Sequence, residues 1–352
     1  MKFAVLNDTH AGVRNDSIHF HEYMRKFFEE VFFPYCVEND IKHIVHLGDY
    51  FDKRTGINFL SLQRNKEHFI EPLIENGMTM DLILGNHDLY YKNTSEVNSC
   101  EALLKYDNIT IYADTITKDY DGCLITLVPW IHKTNIEDTL EHLELTTAQI
   151  AMGHLEIEGA MMMPGYYSSH GLGFQTFKRF DHVYSGHFHT GSTMQNITYL
   201  GSQMEFTWSD YGDPKGFHIF DTDTREMTKI KNPIRMFEKV FYDDSKLTQE
   251  EILAMDFSNL KDMYVKVIVI NKENPYWFDL FIEKLNKAEV IDFKVVEDHG
   301  NLGDMSDEEM ASDAEDTLTI LTKHIEGMEI SGDKSKLETL IRSLYTEALD
   351  TT

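Results

Sequence analysis

Five short apolar runs, each ended by a glycine or a polar cluster, constrain this chain more than any other feature. They begin with Phe3-Ala4-Val5-Leu6 before Asn7-Asp8, and His43-Ile44-Val45-His46-Leu47 before Gly48-Asp49. Met80-Asp81-Leu82-Ile83-Leu84 precedes Gly85-Asn86-His87, and Ile150-Ala151-Met152 precedes Gly153-His154. The last is His182-Val183-Tyr184-Ser185 before Gly186-His187. Their length, β-branching and glycine stops predict strands. Helical patterns separate the first three: residues 18–38 carry Ile18, Tyr23, Phe27, Phe28 and Val31, and residues 59–75 carry Leu60, Leu62, Phe69, Leu73 and Ile74. Alternating strand and helix implies an α/β chain with parallel pairing and right-handed crossovers. In such sheets ligands sit beyond the carboxyl ends of the strands. Five strand ends are therefore expected to deliver Asp, Asn and His to one edge of a sheet.

The chemistry of those ends is that of a binuclear metal site. The constellation is Asp8-x-His10, Gly48-Asp49, Gly85-Asn86-His87-Asp88, Gly153-His154 and Gly186-His187-Phe188-His189. Two divalent metals about 3.5–4 Å apart need a ligand that bridges them. A carboxylate has two oxygens for this and an imidazole does not, which makes Asp49 the natural bridge. Mixed oxygen and imidazole donors suit manganese, iron or zinc better than magnesium or calcium. The glycines before Asp49, Asn86, His154 and His187 are expected to let the backbone turn at each strand end. Singly, a Gly-Asp or Gly-His pair is an ordinary turn; five in this order, each after an apolar run, are not. The other histidines read differently. His46 lies inside a strand and reads as core, and His19, His21, His68, His132 and His170 have no metal-like context.

The chain has 352 residues, 42% of them hydrophobic, enough for two or three domains. No apolar run approaches the roughly 20 residues of a membrane span. The first apolar stretch is shorter than the ~7–15 residues of a signal-peptide core, so a soluble, cytoplasmic protein is expected. Cys36, Cys100 and Cys123 are far apart and odd in number, and read as reduced thiols. The net charge of −28 argues against stand-alone tight binding to nucleic acid. A polyanionic substrate would need bound metals or a basic partner.

The texture changes near residue 232. Residues 263–271 alternate as a strand, Pro275 begins a helix running to about Ala288, and Val290 to Val296 reads as another strand. Residues 1–232 are thus expected to form the metal-bearing domain and 233–300 a small βαβ domain. An acidic linker, 301–316, follows, and residues 301–352 hold 13 Asp/Glu against 4 Lys/Arg. Two amphipathic patterns, 317–328 and 335–349, bury little alone and read as a docking element for another protein.

These motifs resemble the calcineurin-like metallophosphoesterases, and within them the SbcD family, the prokaryotic and phage relatives of the eukaryotic break-repair nuclease. The metal motifs span residues 8–189, and the layout of the whole chain is similar too. The resemblance implies a four-layer α/β-sandwich metallophosphoesterase domain, a βαβ capping domain and a C-terminal helical segment. It implies one metal on Asp8, His10, Asp49 and His189, and a second on Asp49, Asn86, His154 and His187. His87 would face the phosphate as a catalytic group, since an imidazolium beside a developing alkoxide lowers the barrier. The implied activity is that of a manganese-dependent DNA nuclease, a 3′→5′ exonuclease on duplex ends and an endonuclease on single strands. The implied partners are DNA and an SbcC-type coiled-coil ATPase docking on 317–352, with a homodimer inside a heterotetramer. The cytoplasm, or the bacterial host's cytoplasm if phage-encoded, is the implied location.

Asp52 departs from the archaeal and eukaryotic relatives, which have His there, so no substrate-handling histidine is carried over. Lys53 and Arg54 are candidates for the DNA backbone. A solvated loop is the plainer reading of that pair. Tyr166 and Tyr167, beside Met161-Met162-Met163, are candidates for stacking on an unpaired base, against loop packing or a flexible lid. A phosphoprotein phosphatase or small-molecule phosphodiesterase is the competing enzyme class. It lacks support where Leu84 replaces the arginine that phosphatases place before Gly-Asn-His. A non-catalytic scaffold would require lost ligands, and none is missing.

Overall fold

Register explains how the first three runs become neighbours. In the computed structural model, which describes residues 1–297, Ala4 pairs with Ile44, Ile44 with Met80 and Met80 with Ile109, all in parallel. In spatial order this sheet runs Glu226–Lys231, Gly216–Asp221, Lys2–Leu6, His43–His46, Thr79–Ile83, Ile109–Tyr112. Its first two strands are antiparallel to their neighbours. The last two runs belong to a second sheet, ordered Ser192–Met194, Ile197–Tyr199, His182–Gly186, Ile150–His154, Cys123–Val128, Ile116–Tyr120.

The expectation of one sheet edge is therefore corrected. Three motifs end strands of the first sheet and two end strands of the second. Strand alternation puts Phe3 and Val5 on one face and Ala4 and Leu6 on the other, and all four are fully buried. Each face needs cover. Phe3, Val5, Val45, Leu47 and Ile83 pack with Ile125, Leu127, Ile150 and Met152 of the second sheet. On the second sheet's outer face, Val128, Ala151 and Val183 pack under Leu143, Phe177 and Phe180. Two sheets face to face with helices outside make the four layers.

Residues 18–38 and 59–75 are helical, as predicted. Each helix has a π-helical centre, Phe27–Phe32 and Lys66–Ile70, ending two residues ahead of Pro34 and Pro72. Proline cannot donate to the helical ladder and crowds the preceding turn; the wider turn accommodates both. The two helices meet through aromatic side chains, with the Phe28 and Phe69 rings 4.7 Å apart. Phe69 is fully buried, so its truncation to alanine is expected to cost about 3–5 kcal/mol.

A three-stranded sheet follows, with Tyr264–Asn271 between Phe237–Asp243 and Asp292–Glu297. The sequence pattern anticipated the last two strands and the helix Pro275–Lys287, which is capped by Asn274. The structure adds the strand Phe237–Asp243, paired in parallel with Tyr264–Asn271. It also adds the helix Gln249–Ala254, started by a Thr248–Glu251 capping box. Phe281 and Leu285 pack on Val265, Val267 and Val269. Tyr23 Oη donates to the Asp262 carbonyl, and Glu205 accepts from the backbone N–H of Met236 and Phe237. These bonds tie the small sheet to the metal-bearing region. The acidic linker 301–316, the helical patterns of 317–352 and residues 298–300 lie outside the described residues. Among the described residues no helix is long and apolar enough to cross a membrane.

Candidate metal centre

Asp8, His10, Asp49 and His187 share an unusual backbone. Their φ angles are 50°, 45°, 53° and 89°, in the region that L-residues with side chains seldom adopt and that gathers at functional sites. Of the four glycine-preceded candidates, Asp49 and His187 make the sharp turn themselves. Gly48 does take positive φ, at 84°. Gly85 serves a different need, because a Cβ there would stand 2.1 Å from Asp49 Oδ1. Glycine is required there for close approach between two strand ends.

All seven predicted ligands converge. His10 Nε2 lies 3.1 Å from His189 Nε2, 3.8 Å from Asp49 Oδ2 and 4.0 Å from Asp8 Oδ1. Asn86 Oδ1 accepts from His154 Nε2 at 2.8 Å and from His187 Nδ1 at 3.1 Å. His154 Nε2 is also 3.2 Å from Asp49 Oδ2. Two groups result, Asp8–His10–His189 and Asp49–His154–His187, each with ligand atoms within 4.8 Å of one another. His87 comes as close to His10 and Asp49, which sets it at the rim of both. Asp49 Oδ1 accepts the His87 backbone N–H at 2.8 Å, which fixes the carboxylate so that Oδ2 faces both groups.

The electrostatics follow from burial and proximity. Burial disfavours charge on His10, but Asp52, Asp49 and Asp8 outweigh it and lift its pKa to about 9. Burial and the facing His10 push His189 down to about 3, so His10 is the donor between them. Burial also opposes charge on His154, yet Asp49 lifts it to about 9. This agrees with both its ring nitrogens donating, Nδ1 to the Leu47 carbonyl at 2.8 Å. Burial raises Asp8. It would also raise Asp49, but His154 and His87 hold that carboxyl well below the usual range. The donor set fits divalent cations: two carboxylates, one amide oxygen and four imidazoles meet in a buried space. Asn86 Nδ2 is buried without a hydrogen-bond partner among the described residues, so the amide commits its oxygen side to the centre.

His87 is half-buried, with its ring 4.9 Å from that of His10. Its Nδ1 donates to the Asp52 carbonyl at 2.5 Å, and the Asp52 carboxylate stands 3.4 Å from His10 Nδ1. Asp52 therefore contacts one predicted ligand and the predicted catalytic residue. Asp88 escaped the sequence reading although it stands in Gly85-Asn86-His87-Asp88. Its carboxylate accepts the N–H groups of Gly85, Tyr50 and Phe51 at 2.8, 3.0 and 3.2 Å, joining the second and third motifs. Lys215 gave no local signal. It is buried, donates to the His189 carbonyl at 2.7 Å and pairs with Asp210 and Asp213. Lys53 is exposed but paired with Asp16 at 3.2 Å, and Arg54 is half-buried. Tyr166 and Tyr167 form a small hairpin with Met161–Met163, and Tyr167 is 62% exposed.

The chain is similar to known proteins along its length. The calcineurin-like phosphoesterase pattern matches residues 1–191. Exonuclease subunit 1 of Enterobacteria phage T4 is 33% identical over 355 residues, covering 99% of this chain and 99% of that protein. The SbcD component of the SbcCD nuclease from Staphylococcus saprophyticus is 21% identical over 246 residues, covering 67% of this chain and 57% of that protein. Its counterpart from Staphylococcus epidermidis is 24% identical over 154 residues, covering 41% of this chain and 38% of that protein.

Proposed function

The chain belongs to the calcineurin-like phosphoesterase family, and from that premise we propose that it is the metal-dependent nuclease component of an SbcCD-type complex. The observation that carries this reading is 33% identity to Exonuclease subunit 1 over 99% of the chain, together with the seven candidate donors meeting at one place. DNA is the substrate and manganese the native metal. Duplex ends are degraded 3′→5′ and single strands are cut internally. One cation is held by Asp8, His10, Asp49 and His189, the other by Asp49, Asn86, His154 and His187.

When bound, the two cations supply Lewis-acid charge to the phosphate oxygens. The chain's own residues do the rest. Asp49 would hold both cations, since its Oδ2 faces His10 on one side and His154 on the other. His87 is pinned at Nδ1 by the Asp52 carbonyl, which only accepts. That bond consumes the Nδ1 proton, so His87 can donate from Nε2 only as the imidazolium. In that form it stabilises charge on the departing oxygen and protonates it.

The partner is an SbcC-type ATPase binding through 317–352, which brings the basic surface that a chain of net charge −28 lacks. A second copy pairs on the helix of residues 59–75. Phe59 is 88% exposed there, with Leu60 and Ile74 also exposed, and apolar side chains so placed gain from cover. Lys53, Arg54, Tyr166 and Tyr167 are the proposed DNA contacts, and the cytoplasm is the proposed location. The deciding experiment is a cleavage assay on duplex and single-stranded DNA with manganese, with and without chelator. Chelator-sensitive DNA cleavage is expected. Intact DNA alongside strong phosphomonoesterase activity would overturn the reading.

A further inference from the structure

We infer that Trp130 is the positioning residue for His187 of the second cation group, and that its indole reports that group's occupancy. The inference rests on the two-cation reading above. Trp130 lies two residues beyond the strand Cys123–Val128 and is half-buried. Its backbone N–H donates to the Leu84 carbonyl at 2.7 Å, immediately ahead of Gly85-Asn86-His87. Its ring centroid is 5.0 Å from that of His187 and 6.0 Å from that of His154, and those two are 5.2 Å apart. One residue thus joins the third motif through its backbone and the fourth and fifth through its ring.

The two histidines are held by different means. His154 is fixed by the bond from its Nδ1 to the Leu47 carbonyl, the usual way of orienting a ligand imidazole. His187 stands on a left-handed backbone, with its ring packed against Trp130 and, at 4.7 Å, Phe188. Flat aromatic neighbours restrict rotation of an imidazole about its last torsion, which is otherwise broad. A ring free to turn would carry Nδ1 away from Asn86 Oδ1. Losing an orienting contact of this kind costs roughly 10–100-fold in metal affinity. An indole packed on two candidate ligands is also placed to change its emission when the group is occupied.

The test uses the full chain and its Trp130→Ala, Trp130→Phe and Asn86→Ala variants. Manganese binding is followed by calorimetry, by bound metal after dialysis and by indole emission. Trp130→Ala is expected to weaken one of the two sites by about tenfold or more and to leave the other unchanged, matching the site lost in Asn86→Ala. Trp130→Phe keeps a flat ring and both affinities, but loses the emission change that accompanies the second equivalent. Its unfolding midpoint shows that the fold survives. Wild-type affinity at both sites in Trp130→Ala would overturn the inference, as would an emission change that persists in Trp130→Phe. A wild-type chain that binds fewer than two cations would overturn the two-cation reading itself, and the inference with it.

Discussion

His154 Nε2 stands 3.2 Å from Asp49 Oδ2, so a residue of the second sheet and a residue of the first meet at a single oxygen. Asp49 is consequently the one ligand whose change should empty both halves of the centre. Asp49→Asn keeps an acceptor for the His87 N–H but removes the shared charge. Bound metal is expected to fall from two per chain to below one, whereas Asn86→Ala should keep about one. Metal analysis of dialysed protein checks this, and two bound metals in Asp49→Asn would refute the shared-oxygen arrangement.

His87 touches the centre without belonging to either donor group that Asn86 or Asp8 completes. His87→Ser should lower cleavage by about 10²–10⁴-fold, the usual worth of a positioned proton donor, while bound metal stays near two. A parallel loss of metal would make His87 a ligand instead.

Asp88 holds three buried backbone N–H groups from two different motifs. Asp88→Ala leaves them without their acceptor, at about 1–3 kcal/mol for each unsatisfied buried group. A loss of roughly 3 kcal/mol or more is expected in urea unfolding. An unchanged midpoint would mean that water or relaxation replaces the carboxylate at no cost.

Asp81 links pH to stability well away from the metal centre. Burial pushes its carboxyl up, but His43, Lys118 and Tyr120 outweigh burial and hold it at about 2, below the ordinary 3.8. A carboxyl depressed by folding adds stability above its unfolded pKa and loses it as pH falls through the folded value. Asp81→Asn should therefore be less stable than wild type by roughly 2 kcal/mol at neutral pH, and the gap should close between about pH 4 and pH 2. Thermal unfolding of both proteins across that window measures it; a gap independent of pH would show that Asp81 acts by packing alone.

Removal of residues 317–352 should abolish binding to an SbcC-type ATPase and spare manganese-dependent cutting of a short single strand. Co-purification of the truncated chain with the ATPase would contradict the docking assignment.

Much of the centre was legible in the sequence because its signals are local. A strand rich in β-branched residues followed by Gly-Asp or Gly-His places the polar side chain at a strand end whatever the rest of the chain does. The seven candidate donors were read that way, and the helices of residues 18–38 and 59–75 from the spacing of their apolar residues. The strand Phe237–Asp243 was missed although Val240 and Tyr242 alternate inward. Its single stretch of alternation had no glycine stop and no neighbouring motif to mark it.

What the sequence by itself determined is which candidate donors stand at which strand ends, since period-two burial and glycine punctuation are properties of a few consecutive residues. What the tertiary structure decided is that the donors come from two sheets rather than one. It also decided that Asp49 Oδ2 faces residues of both sheets while Oδ1 accepts the His87 N–H, and that Asp52, Asp88, Trp130 and Lys215 contact the candidate donors or the motifs that carry them. Those relations join residues tens of positions apart, and each depends on which faces of two sheets are buried against each other. No local pattern encodes that choice; it is made when Val5, Leu47 and Ile83 find Leu127, Ile150 and Met152.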